Sequence, residues 1–334
     1  MKKSFFIKLS FCLLAIVFSC QQFSLARENQ EIKGNSVRKF TIPEHDLYPE
    51  NIAYDPVSKS YFLGSMSQSR IIRINAGGSY DDFVSTPDSG LLSSIGMKVD
   101  ANRRALWVCT GRFSLLANYD SLPPRTGILK FNIDTGELIN KWIPDENQAS
   151  PYHIFNDLVL TSSGDVYATT TLLGRVYKIS ADNDEMEIVL QHKEQSHNNG
   201  ITIDDDEKYL FLTINRSICR MDLKSKELLE LKAPKADMLL MTDGLYFHDN
   251  SLIAVKPRLK QVLRLFLKDD LLTVNKAEVL AQNHPDFAYP TTGVVVDDKL
   301  VFVASSYANI PRNNESPRQH DDVYIHEVSL REED

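Results

Sequence analysis

Six short segments of the 334-residue chain align without a gap: Glu50-Asn-Ile-Ala-Tyr-Asp55, Ile95-Gly-Met-Lys-Val-Asp100, Asn156-Asp-Leu-Val-Leu-Thr161, Asn199-Gly-Ile-Thr-Ile-Asp204, Asp243-Gly-Leu-Tyr-Phe-His248 and Thr292-Gly-Val-Val-Val-Asp297. Each is a polar or small pair, then apolar-x-apolar, then a polar residue, and each leads into a turn and a second apolar run. Their first residues lie 45, 61, 43, 44 and 49 positions apart. Recurrence at such a period marks a repeat architecture, in which each unit buries its apolar faces only against its neighbours. The long interval matches an insertion around Arg112 to Thr126.

The units are strands. Runs such as Tyr209-Leu-Phe-Leu-Thr213 and Val301-Phe-Val-Ala304 are short, β-branched or aromatic, and bounded by turn residues such as Ser163-Gly164-Asp165. No long segment after residue 40 carries apolar residues at helical spacing. Six units of about four short strands predict an all-β, six-bladed β-propeller. The repeat nearly fills residues 27–334 and implies one domain. Two segments fit as the closing strand of the last blade: Val323 to Val328, and the residues near Val37 to Ile42.

The first 26 residues belong to a different class. Lys2, Lys3 and Lys8 precede the apolar run Phe11 to Phe18, which is shorter than the roughly 20 residues a membrane-spanning helix needs. This is the pattern of an export signal. Two cleavage sites fit. Val17-Phe18-Ser19-Cys20 is lipobox-like and would leave a lipidated Cys20, whereas Ser24-Leu25-Ala26 suits ordinary signal peptidase. The expected location is periplasmic or anchored in the envelope as a lipoprotein, with secretion as the alternative. Loss of the three lysines takes the net charge from -8 to -11, which argues against nucleic acid as a partner. Export permits a Cys109–Cys219 disulfide, and two buried thiols fit equally.

In a propeller the first strand of each blade is innermost, so equivalent residues share one depth around the axis. The first repeat position reads Glu50, Ile95, Asn156, Asn199, Asp243, Thr292. Two carboxylates and two carboxamides at one level are costly without a cation. Calcium suits them, as a hard ion taking 6–8 oxygens. The absence of His and Cys from the set disfavours zinc. Asn-Gly and Asp-Gly pairs also make ordinary turns, which explains any one pair but not their common phase.

These residues carry a resemblance. His197-Asn-Asn-Gly-Ile-Thr-Ile-Asp-Asp-Asp-Glu-Lys-Tyr-Leu-Phe-Leu-Thr213, Phe155-Asn-Asp-Leu-Val-Leu, Pro49-Glu-Asn-Ile-Ala and Thr242-Asp-Gly-Leu occur in order along the chain. In this the sequence resembles the senescence-marker-protein/gluconolactonase superfamily, which includes paraoxonases and diisopropylfluorophosphatase. The resemblance runs from about Pro49 to Tyr307. It implies a six-bladed propeller with calcium on Glu50, Asn156, Asn199 and Asp243, and calcium-dependent hydrolysis of a lactone or related ester. Asp243 is then the candidate nucleophile or base. It also raises a second, structural calcium, for which Asp157 fits and Asn51 fits in part.

The chain departs from the family's pattern at two points. No His lies between Gly96 and Tyr152, where paraoxonases carry a histidine pair, and Ile154 stands where gluconolactonase-like members carry an Arg. Sugar-lactone specificity is therefore not implied. His153 and His197 lie close before ligand positions, as general-base candidates or as loop histidines. Arg112, Arg125, Arg258 and Tyr307 are candidates for the channel entrance. The acidic run Asp204 to Glu207 reads as a solvated hairpin turn. The reading from another functional class is a non-catalytic propeller, braced by calcium and binding a ligand or protein in the envelope.

Overall fold

The computed structural model describes residues 31–85, 89–116, 119–122, 125–144, 153–192, 196, 198–306 and 322–331. The export segment, Cys20, His197 and Tyr307 lie outside them. Lys33–Asp334 forms one compact unit. Its described residues are almost entirely strands and turns, with short 3-10 turns at Tyr119–Ser121, Ala236–Leu239 and Pro257–Leu259. Among them no helix is long and apolar enough to cross a membrane.

The strands form six antiparallel sheets, arranged as the blades of a propeller. The first strands of the six are Ile52–Asp55, Ser93–Asp100, Ile154–Leu160, Asn198–Ile203, Leu245–His248 and Gly293–Val296. Blades 1 to 5 each add their next three strands in chain order, and Lys33–Gly34 pairs on the outer edge of blade 5. Both closing candidates are used. In blade 6, Val323–Ser329 is the third strand and Val37–Ile42 is the outermost, paired with it. The N-terminal and C-terminal strands thus close the ring by hydrogen bonds between them.

Six apolar clusters fill the six gaps between adjoining blades. Ala53, Phe62, Met97 and Leu106 join blades 1 and 2, for example, and Ile42, Ile52, Val301 and Ile325 join blades 6 and 1. Each sheet is buried on both faces, which is why its middle strands read as continuous apolar runs instead of strict alternation. Full burial of a Phe or Leu contributes roughly 1.5–3 kcal/mol.

The turn ends of the first strands account for the polar residue that closes each repeat. Asp55 accepts hydrogen bonds from the amides of Val57 and Ser58, Asp100 from that of Arg103, and Asp204 from those of Lys208 and Tyr209. These carboxylates cap the hairpin turns. The acidic run is therefore on a turn but not wholly solvated, because Asp204 is buried.

Blade 6 corrects the sequence alignment by one residue. The Asp243 amide donates to the Val255 carbonyl while the Val255 amide donates to Gly244; in blade 6 the same exchange joins Thr291, Val303 and Thr292. Thr291, not Thr292, is the counterpart of Asp243. The hairpin turn of blade 6 has two residues, as in blade 5, so Asp297 is the counterpart of Asp249 and not of His248. Matching Asp297 to the strand-end Asp55, Asp100 and Asp204 shifts the blade by one.

Candidate metal and active site

The inner strands bulge where the candidate ligands lie. Pairing of the first strand to the second slips by one residue between Ser94 and Met97, between Phe155 and Leu158, and between Asn198 and Ile201. The extra residue falls at Ile95-Gly96, Asn156-Asp157 and Asn199-Gly200, the opening pair of the repeat. A bulge re-aims the side chains it carries.

At this level each blade touches the next, in an unbroken belt. The Ser94 amide donates to the Ser65 carbonyl across blades 1 and 2. A Cβ on Gly96 would fall 2.5 Å from the Asn156 carbonyl oxygen, so only glycine lets blades 2 and 3 approach so closely. The Thr169 hydroxyl donates to the Asn199 carbonyl, and the Gly200 amide to the Asp243 carbonyl at 3.0 Å. The Gly244 amide reaches Thr291 O, and the hydroxyls of Thr291 and Thr292 both donate to the Glu50 carbonyl, at 2.8 and 2.7 Å.

Glu50 and Asp243 are buried, and Asn156 and Asn199 half-buried. The Asn199 amide donates to Asp243. Tyr289 lies beside both Asp243 and Glu50, and burial together with those two charges pushes its phenol up. Glu50 Oε2 accepts from Ser306 Oγ at 3.4 Å. Asn199 and Asp243 are thus bonded to each other, and Tyr289 feels the charges of both Asp243 and Glu50. Asn156 sits at the same level with its amide donating to Thr171 Oγ1 at 3.0 Å.

Two atoms carry the chemical argument. Asn199 Oδ1 and Asp243 Oδ1 are buried and have no hydrogen-bond partner among the described residues. An unmet buried acceptor costs about 1–3 kcal/mol, and more when charged. Burial raises the Asp243 acid to about 7, the Asp157 charge adding to this and the Asn199 bond opposing it. Unmatched oxygens, two carboxylates and no nitrogen or sulfur donor fit a hard divalent cation.

Directly under this ring sits a second polar tier. Lys98 of blade 2 places its Nζ 3.5 Å from Asp157 Oδ1 in blade 3, and 5.6 Å from the centre of the Tyr246 ring in blade 5, opposite. Asp157 is buried, with Oδ2 unpartnered, as are both amide atoms of Asn51. Tyr246 accepts a bond from the Gly293 amide, and burial holds its phenol far above the ordinary range.

The other candidates have different surroundings. His153 is buried and stacked on Tyr177, with ring centres 5.6 Å apart. Arg112 lies over Tyr119 and donates to the Leu122 carbonyl, holding the blade 2 insertion in place. Arg125 reaches the Gly90 carbonyl. Arg258 alone of these bonds to a residue at the ring, Tyr289. Cys109 and Cys219 are free thiols in separate clusters, so no disulfide joins them. Burial pushes Cys219 up to about 12.

A further group of possible metal ligands escaped the sequence reading. His284 Nδ1, Asp286 and His326 bring their ligand atoms within 4.8 Å of one another. They lie on the linker after blade 5 and the third strand of blade 6, not on the inner strands. Arg38 of the closing strand pairs with both oxygens of Asp286, at 2.8 and 2.7 Å, and His326 Nε2 lies 2.8 Å from Oδ2. The four residues span 284, 286, 326 and 38 with no repeat phase to relate them. A cavity of about 490 Å³ lies at the turn end of the blade 6–blade 1 seam, away from the ring. Its lysines Lys39 and Lys299 both pair with Glu327.

No family model matches the sequence, and no curated protein matches it. Solved structures do match in fold. A luciferin-regenerating enzyme superposes with a TM-score of 0.59 at 11% identity, covering 88% of this chain and 92% of its own. A gluconolactonase from Xanthomonas campestris gives 0.58 at 13% identity, covering 90% and 98%. Virginiamycin B lyase from Staphylococcus aureus gives 0.53 at 16% identity, covering 90% and 100%. At such identities the shared property is the propeller.

Proposed function

We propose that the protein is a calcium-dependent hydrolase of a lactone or related ester, acting at the ring of Glu50, Asn156, Asn199 and Asp243. The observation that carries this reading is the pair of buried, unpartnered oxygens on Asn199 and Asp243. A divalent ion bound there would supply Lewis-acid polarisation of an ester carbonyl. The chain's own residues supply the rest. The Asp243 oxygen left free of the ion would take the proton from an attacking water or attack directly. The Asn199 amide fixes the carboxylate. Half-buried Tyr48, Phe113, Leu115 and Ile154 pack on the cluster that contains Ile95. As an apolar side to the entrance they would favour an apolar lactone over a sugar lactone.

The test is a screen of aliphatic lactones, acyl-homoserine lactones, aldonolactones and aryl phosphotriesters, with and without chelator. Turnover of a lactone that chelator abolishes and Asp243→Asn removes is the expected result. Full activity in both Asp243→Asn and Glu50→Gln contradicts the proposal. A melting temperature that drops on chelation, with no substrate turned over, favours the calcium-braced binding protein.

The export segment adds a location to the proposal, the periplasm or an envelope anchor through a lipidated Cys20. The mass of the mature N-terminus distinguishes cleavage before Cys20 from cleavage after Ala26.

A further inference from the structure

The tier under the ring holds a feature that the ring does not explain. Counted in the observed register, the fourth repeat position is Ala53, Lys98, Val159, Thr202, Tyr246 and Val294. Five are uncharged. Lys98 extends from blade 2 to Asp157 in blade 3 and toward the Tyr246 ring in blade 5 opposite, so its ammonium lies between side chains of two other blades. Asp157 is almost wholly enclosed, and among the described residues its Oδ1 is otherwise held only by its neighbour's amide, that of Leu158, and its Oδ2 has no partner. A carboxylate buried in this way requires a positive charge close by, because desolvating it alone costs several kcal/mol. Two further unpartnered amide atoms, on Asn51, occupy the repeat position of Asp157 in blade 1.

We propose that Lys98 is a cation built into the hub: its ammonium neutralises Asp157 and fills a place that a second metal ion would take in its absence. Lys98 is then a positioning residue, holding Asp157 and through it the floor under Asp243. The consequence is specific. Shortening the lysine leaves an enclosed carboxylate and one orphaned amide oxygen, Asn51 Oδ1, with no cation, which are oxygen donors of the kind calcium takes. The proposal does not depend on the ring reading. It stands on the difference between variant and wild type, whereas the ring reading stands on the wild-type value itself.

Calcium binding to the exported domain, measured by titration calorimetry and elemental analysis, tests it. Lys98→Ala is expected to bind one more calcium per chain than wild type, and Lys98→Ala with Asp157→Asn to lose that extra ion. Lys98→Arg, which keeps the charge, is expected to show wild-type stoichiometry. An unchanged count in a folded Lys98→Ala protein overturns the proposal. Should Lys98→Ala not fold, a thermal-denaturation cycle on Lys98→Met and Asp157→Asn decides. The built-in pair predicts that the double variant melts higher than the sum of the single losses implies, and additive losses overturn it.

Discussion

The two ends of the same six inner strands are built differently. At the turn end every buried carboxylate of the repeat is met by its own chain. Asp55 caps its turn and takes Arg104 of blade 2 at 2.8 and 3.0 Å, and Asp204 is held by two amides. At the hub end Asp243 and Asn199 keep oxygens that no group among the described residues meets. Burial raises the acid of Asp243 to about 7. At Asp55 burial acts in the same direction, but the bonds from Arg104, Ser58 and the amides of Val57 and Ser58 outweigh it and bring the acid to about 2. One end is finished by folding. The other keeps acceptors unmet among the described residues, which is where the proposed ion would bind.

The largest expected effect comes from breaking the hub. Losing a direct carboxylate ligand, in Asp243→Asn or Glu50→Gln, is expected to weaken calcium binding at least about 100-fold, the upper end of what removing a mere supporting group costs. Calorimetric titration reads it, and an affinity within a few-fold of wild type removes the distinction between the two ends. At the turn end, calcium affinity should survive while stability falls. Asp55→Asn leaves Arg104 with Asp134 alone, and is expected to cost about 2–3 kcal/mol in urea unfolding, below the usual cost of breaking a buried pair because Asp134 remains.

The Asp55 contribution also has a pH signature. Its folded-state acid lies below the ordinary value of 3.8, so its stabilisation is present above about pH 4 and is lost as pH falls toward 2. The wild type should lose about 2 kcal/mol over that window relative to Asp55→Asn. Parallel pH profiles would contradict the role given to Asp55. The smallest effect is expected from Asp206→Ala in the exposed part of the acidic run. Asp206 pairs only with exposed Lys208, and neither melting temperature nor calcium affinity should move.

What the sequence made legible follows from what repeats. The opening pair forms a bulge in blades 2, 3 and 4, and the closing Asp of blades 1, 2 and 4 caps a turn. The fold, and the phase of five blades, were therefore readable by alignment. Blade 6 was read one residue late because Thr292-Gly293 mimics Asp243-Gly244 and Asp297, a turn residue, mimics the strand-end Asp of other blades. Closure stayed open because Val37–Ile42 pairs with a strand near the other end of the chain. Lys98 was hidden at a position that reads as solvent-facing in a strand, although it is the one charged residue there in six blades. The Arg38–Asp286–His326 network joins residues up to 288 positions apart in number, with no local pattern to betray it.

The central claim is that the hub end is completed by one divalent ion. A crystal structure of the exported domain grown in calcium, with anomalous scattering to identify the ion, tests it most directly. The account predicts a single calcium bonded to side-chain oxygens of Glu50, Asn156, Asn199 and Asp243. Density for water alone at that place, in crystals with calcium in excess, would contradict it.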